Sequence, residues 1–362
     1  MESYELVPLK DNTIPSKINR LTKDLTNYII VKDGHIVKRA LSTVFESIFV
    51  DSYSEALPDK LTVFLDTEYV NNVEDEAYKY NVENVNSGLL IHVPRNINIT
   101  DTLHVFYIQE NIDLVNNTRI VLENNSALTY FEYLYNESDS SINFVSNVVV
   151  KENAHLTYSG ISNFNILSVV SVVRNAFVKR YGNAKYNIAE INDGTLESRT
   201  NIYLEEQYAS ATTKTVAITN KEQDANIRQL VEHNAPDTEG FIENYGVSNN
   251  NSTLIFEGIG KINKNMKRSV ARQSNKGIVL GRKSRLDANP LLLIDEYDVV
   301  ASHGAAIGKI DDEQLYYLMS RGLTLKVAER LIISGFLSPI LQVLSTDALK
   351  EEFLNIVENK TT

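Results

Sequence analysis

The chain has 362 residues, 43% of them hydrophobic, with 35 Lys and Arg against 47 Asp and Glu for a net charge of −12. That is apolar material for two or three domains or one elongated body, and the acidic balance argues against nucleic acid as a partner because a phosphate backbone would be repelled. With no cysteine in the sequence, disulfides, zinc ribbons, a thiol nucleophile and clusters held by the chain's own thiolates are excluded.

Met1-Glu2-Ser3-Tyr4-Glu5 has neither the basic nor the apolar character of an export signal. No apolar run reaches the roughly 18 residues of a membrane helix. The expectation is a cytoplasmic protein with no membrane partner. Ile18, Leu21 and Leu25 fall at helical spacing, in a helix that ends before Asn27. Tyr28 to Val31 and His35 to Val37 flank Asp33-Gly34, and Asp-Gly between two β-branched runs predicts a hairpin because both turn residues tolerate positive φ. Residues 1–86 therefore read as a mixed helix and hairpin region.

From Ser87 the sequence is strand after strand, punctuated by Asn, Asp, Gly and Ser, and a sandwich or a solenoid would both fit. Self-similarity favours the solenoid. The segment from Arg119 to Tyr130 recurs 28 residues on, from Asn147 to Tyr158, and Asn250 to Phe256 resembles Asn124 to Tyr130. A strand, a polar Asn corner and a second strand, repeated, suit a parallel β-helix over residues 87–308.

Residues 309–362 read as a helical domain. Asp311 is an N-cap with Gln314 three residues on, and Leu315, Leu318 and Met319 form an apolar stripe before Gly322 ends the helix. Thr324 caps a second helix with Leu325, Ala328, Leu331 and Ile332 inward and Gly335 at its close. Ser345 or Thr346 caps a third, presenting Leu349, Phe353, Ile356 and Val357. Helices at each end are expected to cover the ends of the solenoid.

Chemistry is mostly conspicuous by absence. No Gly-x-x-x-x-Gly-Lys-[Ser/Thr] loop, His-Glu-x-x-His or Gly-x-Ser-x-Gly occurs, and Gly258-Ile259-Gly260 lacks the third glycine of a dinucleotide site and reads as a strand corner. His35, His92, His104 and His155 read as structural or exposed, and His233, in a polar corner, is a weak ligand candidate. His303, before Gly304, reads on residues alone as a satisfied structural histidine. Asp295, Glu296 and Asp298 cluster without forming a recognisable acid–base pair, and Asp311 to Glu313 fit a helix N-terminus. Residues 261–285 carry nine Lys and Arg and no acidic residue. They are either a solvated face or a docking face for an acidic partner or anionic ligand.

A resemblance sharpens this. In order come Gln273-Ser-Asn-Lys-Gly-Ile-Val-Leu-Gly281, Asn289-Pro290-Leu-Leu-Leu-Ile294, Tyr297-Asp298-Val299, His303-Gly304-Ala305-Ala306-Ile307-Gly308 and Gln314-Leu-Tyr-Tyr317-Leu-Met-Ser-Arg321-Gly322. Together they resemble the C-terminal signature of the SufB/SufD family of iron–sulfur cluster assembly proteins, and weaker likeness runs back to the Asp33-Gly34 hairpin. The resemblance implies a mainly β fold, a right-handed parallel β-helix between a short N-terminal α/β region and a C-terminal helical domain. It implies a non-enzymatic scaffold in a SufBCD complex, with a SufB-type paralogue pairing through the β-helix end. A SufC-type ATPase would dock on residues 309–340, with Tyr317, Arg321 and Gly322 as candidate contacts. No cofactor would be bound stably, only a transient iron–sulfur cluster at the SufB interface. Lack of cysteine points to the SufD-like branch, and His303 becomes the candidate iron or cluster ligand, with Ala301 offering no thiolate beside it. The alternatives are a β-helix carbohydrate-active enzyme, or a homodimeric scaffold that recruits SufC without ligating a cluster.

Overall fold

The computed structural model describes residues 8–52, 76–110, 113–136 and 138–361; the first five residues, read above for an export signal, lie outside them. The chain opens with helix α1 (Ser16–Thr22), the hairpin of β1 (Tyr28–Lys32) and β2 (His35–Ala40), β3 (Phe49–Ser52) and helix α2 (Glu76–Asn84). The stacked strands begin with β4 (Leu89–Val93), β5 (Asn98–Gln109), β6 (Leu114–Leu122), β7 (Ala127–Asn136), β8 (Ser141–Val150) and β9 (His155–Asn163). They continue through β10 (Val169–Val178), β11 (Asn183–Glu190), β12 (Thr195–Leu204), β13 (Ser210–Thr219), β14 (Asp224–His233) and β15 (Glu239–Ser248). They end with β16 (Thr253–Ile262), β17 (Val270–Val279), β18 (Arg285–Ile294) and β19 (Val300–Gly308). Helices α3 (Asp312–Ser320), α4 (Leu325–Phe336) and α5 (Asp347–Thr361) follow.

From β5 the odd-numbered strands stack in one sheet, and from β4 the even-numbered strands stack in the other, every neighbour parallel. This is the parallel β-helix that the repeats predict. Each coil advances by 26 to 32 residues, from Val169 paired with Thr195 to Thr253 paired with Arg285. The main repeat is a true register: Arg119 pairs with Asn147 and Tyr130 with Tyr158. At its corners Asn125 and Asn153 adopt φ of 59° and 54°, which Asn tolerates. Their side-chain amides form a ladder with Asn96, each step 3.0 Å. The third likeness, at Asn250, is not equivalent. It leads into the even sheet, and its left-handed residue is Asn250 itself, one position earlier in the corner.

The N-terminal hairpin forms as predicted, with φ of 44° at Asp33 and 88° at Gly34. It is built into the β-helix: β1 pairs parallel with β5, and β3 pairs antiparallel with β4.

The helices do not cap the solenoid ends. Ile18 and Leu21 of α1, with Ile333, Leu349, Phe353 and Val357 of α4 and α5, pack on the outer face of the odd sheet against Phe106, Tyr133, Ile161 and Val216. After β19 the chain turns back along this flank towards its start. Glu352 of α5 pairs with Arg20 at 2.6 Å and Lys17 at 3.0 Å, and Lys360 pairs with Asp193 at 2.7 Å. The caps match expectation: Asp311 accepts from the Glu313 N–H at 2.7 Å, Thr324 from Val327, Thr346 from Leu349, and Gly322 has φ of 94°. The faces differ. No residue of α3 is buried, and in α4 Leu325 and Leu331 point outward while Ala328 and Ile333 are buried, because the flank accepts only one side of the helix. Gly335 lies inside the last turn of α4 rather than ending it. Among the described residues no helix is long and apolar enough to cross a membrane.

Leu, Ile, Val and Tyr from both sheets fill most of the lumen. Within it lies an ion triad: Arg174 of β10 donates to Glu132 of β7 at 2.8 Å and to Glu190 of β11 at 3.1 Å, all three buried. Burial pushes the Glu132 carboxyl up, Arg174 pulls it back, and the Tyr158 hydroxyl donates to it at 2.5 Å. Removing one member strands a buried charge, so Arg174→Met is expected to cost about 3–5 kcal/mol of unfolding free energy, read from urea denaturation. His233 is also enclosed, with Nδ1 on the Thr238 hydroxyl at 2.7 Å, and burial lowers its pKa from 6.5 to about 4. Between those values the unfolded chain binds a proton that the folded chain refuses, so stability falls as pH drops across that window, by up to about 3 kcal/mol. Denaturation of His233→Asn over the same pH series should show a flatter dependence than the parent.

Candidate functional site

In a stack of parallel coils, each strand satisfies its neighbour's backbone until the last one. Here the last two are β18 and β19, and each pairs on one side only among the described strands. Every residue of β19 is exposed, and on β18 only Leu286 is fully buried. The open edge carries Leu291, Leu293, Val300 and Ile307 at 39–52% exposure.

The register fixes which side chains face the lumen. Leu103, Tyr130, Tyr158, Tyr186, Thr213, Ile242, Gln273 and His303 form one column down the odd sheet. His303 is its last member, so the alternation of the strand turns it towards the mouth of the β-helix and away from the outer flank. Ala301, Ala305 and Ile307 share its face, opposite the half-buried Ala288, Pro290, Leu292 and Ile294 of β18. Among these eight residues His303 alone is ionisable. It is an imidazole on a small apolar mouth, with Ala301 two positions away on the same face. Proline at position 290 suits an edge strand, where a missing N–H is tolerated.

No group of three or more His, Cys, Asp or Glu able to hold a metal occurs among the described residues. Among the described residues, none joins His303 in such a group. The other five histidines are elsewhere: His35 begins β2, His104 bridges the Asn27 carbonyl and the Ser345 hydroxyl, His233 is enclosed in the lumen and unavailable as an outward ligand, His92 lies beside Glu123, and His155 is exposed. Asp295, Glu296 and Asp298 lie at the corner between β18 and β19, where Glu296 accepts the Asn265 and Tyr297 N–H groups at 2.9 Å. Carboxylates in the lumen belong to the ion triad.

The basic stretch does not form one face. Lys261 pairs with Glu232, Arg268 with Asp237 and Arg285 with Asp287, each on the same or an adjacent coil, while Arg272 and Lys276 lie over Phe241 and Tyr245. Stacking supplies the acidic partners of Lys261 and Arg268, and Asp287 on the same strand supplies that of Arg285, which favours the solvated-face reading. Gly258 and Gly260 lie inside β16, facing the lumen and not at a corner, where the Gln273 amide occupies the space their side chains would fill.

Tyr317, Arg321 and Gly322 come together at the C-terminal end of α3, with the Arg321 guanidinium 5.3 Å from the Tyr317 ring centre. Tyr316, Tyr317, Met319, Leu325, Val327 and Leu331 are all exposed around them. Asp311, Gln314, Tyr317, Leu318 and Ile332 line a groove of about 530 Å³ between α3 and α4. The mouth residues of β18 and the buried triad escape sequence reading, since their common feature is a position on a coil, visible only once the register is known.

Over residues 106–336 the chain matches the family described as SUF system FeS cluster assembly, SufBD core domain. The chain belongs to the SufB/SufD family. Within it the likeness is to SufD: it is 36% identical over 284 residues to the iron-sulfur cluster assembly protein SufD of Bacillus subtilis, covering 76% of this chain and 64% of that protein. An iron-sulfur cluster assembly SufBD family protein of Staphylococcus saprophyticus is 24% identical over 322 residues, covering 83% of this chain and 69% of the relative. The chain thus spans a little under two thirds of the length of the Bacillus protein.

Since His303 is exposed and makes no contact that holds the fold, His303→Ala is expected to leave the unfolding free energy of the isolated chain within about 0.5 kcal/mol of the parent, measured by urea denaturation.

Proposed function

We propose that this chain is a SufD-like scaffold subunit of an iron–sulfur cluster assembly complex. Its open β18–β19 end pairs with a SufB-type paralogue, and His303 meets the nascent cluster at that junction. The observation that carries the reading is the unpaired end of two sheets with one lumen-facing histidine at its mouth. A partner β-helix brought end to end would continue the backbone ladder and cover the exposed Leu291, Leu293, Val300 and Ile307. Neutral imidazole is a good iron ligand, and cysteine thiolates from the partner would complete a set this chain lacks. Iron and sulfur are cargo here.

The second face fits a second partner. The exposed apolar side chains of α3 and α4, with the groove between them, suit a SufC-type ATPase that docks by helix-in-groove contact. This arrangement gives the chain no hydrolytic step of its own. In isolation the same β18–β19 edge would serve a second copy, as a homodimer.

Co-expression with SufB-type and SufC-type partners, followed by anaerobic purification, tests both faces. The expected result is a stable three-component complex whose bound iron falls steeply with His303→Ala, and which loses the ATPase but keeps the SufB-type subunit with Leu325→Asp and Leu331→Asp together. A complex whose iron ignores His303 removes the ligand role and leaves a scaffold. Failure to form any complex overturns the proposal.

A further inference from the structure

The lumen column that ends at His303 faces a second polar column on the even sheet. Thr118, Ser146, Arg174, Thr200, Gln229 and Gly258 are paired in unbroken register. The even-sheet column lies across the lumen from Tyr158, Tyr186, Thr213, Ile242 and Gln273 of the odd-sheet column. Its occupants change along the axis. Near the N-terminal end its members are bonded: Tyr107 bonds Thr118 at 2.8 Å, and Tyr158 bonds Ser146 at 3.2 Å and Glu132 at 2.5 Å. Beyond Arg174 the side chains shrink to Ser198 and Thr200 on β12 and to Ala211, Thr213, Thr215 and Ala217 on β13, although stacked sheets keep a spacing of about 10 Å.

In this same stretch buried polar atoms go without a partner in the protein. They are Glu190 Oε2, Tyr186 Oη, Gln229 Oε1, Asn244 Oδ1, Asn275 Nδ2 and Gln273 Oε1, on residues at most 6% exposed. Their other atoms are well used. The Gln229 amide nitrogen donates to the Thr213 hydroxyl at 2.7 Å, Asn244 donates to Asn275 at 2.8 Å, and the Gln273 nitrogen donates to the Leu291 carbonyl at 2.7 Å. That last bond fixes the Gln273 amide orientation, so its oxygen turns back down the lumen towards Gly258, directly above Gln229. Leaving one such group unsatisfied costs about 1–3 kcal/mol, and six in one lumen would consume a large share of a domain's stability.

We infer that the lumen between Arg174 and the mouth is a built water site. A file of ordered water bonds these six atoms and links the Glu132–Arg174–Glu190 triad by hydrogen bonds to the end of the β-helix that carries His303. Internal water needs a polar lining, which these six atoms provide, and the short side chains of Ser198, Thr200, Thr213 and Thr215 are where it would fit. The Gly258-Ile259-Gly260 motif, unused by any dinucleotide, gains a role, since its two bare positions admit the Gln273 amide that closes the file beneath the mouth. The inference is independent of cluster assembly and of any partner.

Tyr186 gives a test free of side effects, because its ring stacks on Tyr158 with centroids 4.7 Å apart while its hydroxyl has no protein partner. If water bonds that hydroxyl, Tyr186→Phe lowers the melting midpoint of the full chain by roughly 1–3 °C. If the lumen is dry, the same change relieves an unsatisfied group and the midpoint is unchanged or rises, which overturns the inference. A high-resolution crystal structure provides a second reading. Ordered density within hydrogen-bond reach of Tyr186 Oη, Gln229 Oε1 and Gln273 Oε1 is expected, and its absence at all three would overturn the inference equally.

Discussion

The parallel ladder between coils governs this molecule. From β4 onward each strand pairs with the strand one coil further on, some 28 residues along the chain, until the last coil, and the side chains inherit that register as columns. The ladder accounts for the asparagine corners, where Asn96, Asn125 and Asn153 bond one another because each occupies the same point of successive coils. It accounts for the stacked tyrosines, for the ion triad drawn from three strands, and for the pairing of Lys261 and Arg268 with carboxylates of the preceding coil. It also dictates that the structure has two ends, since translation along an axis never closes on itself as a barrel does.

The two ends are treated differently. At the first, a hairpin and an antiparallel strand join the sheets, and α1 and α5 pack on the adjoining flank, clamped by Glu352 to Lys17 and Arg20. At the second, nothing among the described residues overlies β19. The helices that could have covered it turn back along the odd sheet, where Phe106, Tyr133 and Ile161 offer a ready apolar flank. That choice leaves two surfaces with exposed apolar character, the sheet end and the outer side of α3 and α4, at opposite sides of a short connection between β19 and α3.

Much of the architecture was legible because it rests on local chemistry. Asp33-Gly34 encodes its own turn, Asp311, Thr324 and Thr346 encode helix starts, and the 28-residue recurrence of Arg119 to Tyr130 encodes the coil. The direction of each helix face was not legible. Leu325 and Leu331 are as apolar as Ile333, and only the flank they meet, or fail to meet, distinguishes them. Gly258 and Gly260 looked like punctuation because the Gln273 side chain that needs their space lies on the next strand, across the lumen. For the candidate site, His303 could be singled out by its Ser-His-Gly context, through the family signature alone. Its position at the head of a lumen column needed the register, as did the apolar company of Pro290 and Leu292.

The same register explains why a histidine at this point is chemically distinctive. An imidazole on the outer face of a coil would meet solvent and long charged side chains, as Arg272 and Lys276 do on β17. Turned towards the lumen on the last rung, it is bounded by small and apolar side chains and keeps its ring nitrogens available for whatever closes the end. Beneath it lies Gln273, tied by its amide nitrogen to β18 and so holding the two edge strands in a fixed relation across the lumen. The mouth is thus braced without being filled. Backbone edges on both sheets and an apolar rim meet there, and the one ionisable side chain among the eight lumen-facing residues of the two edge strands is His303.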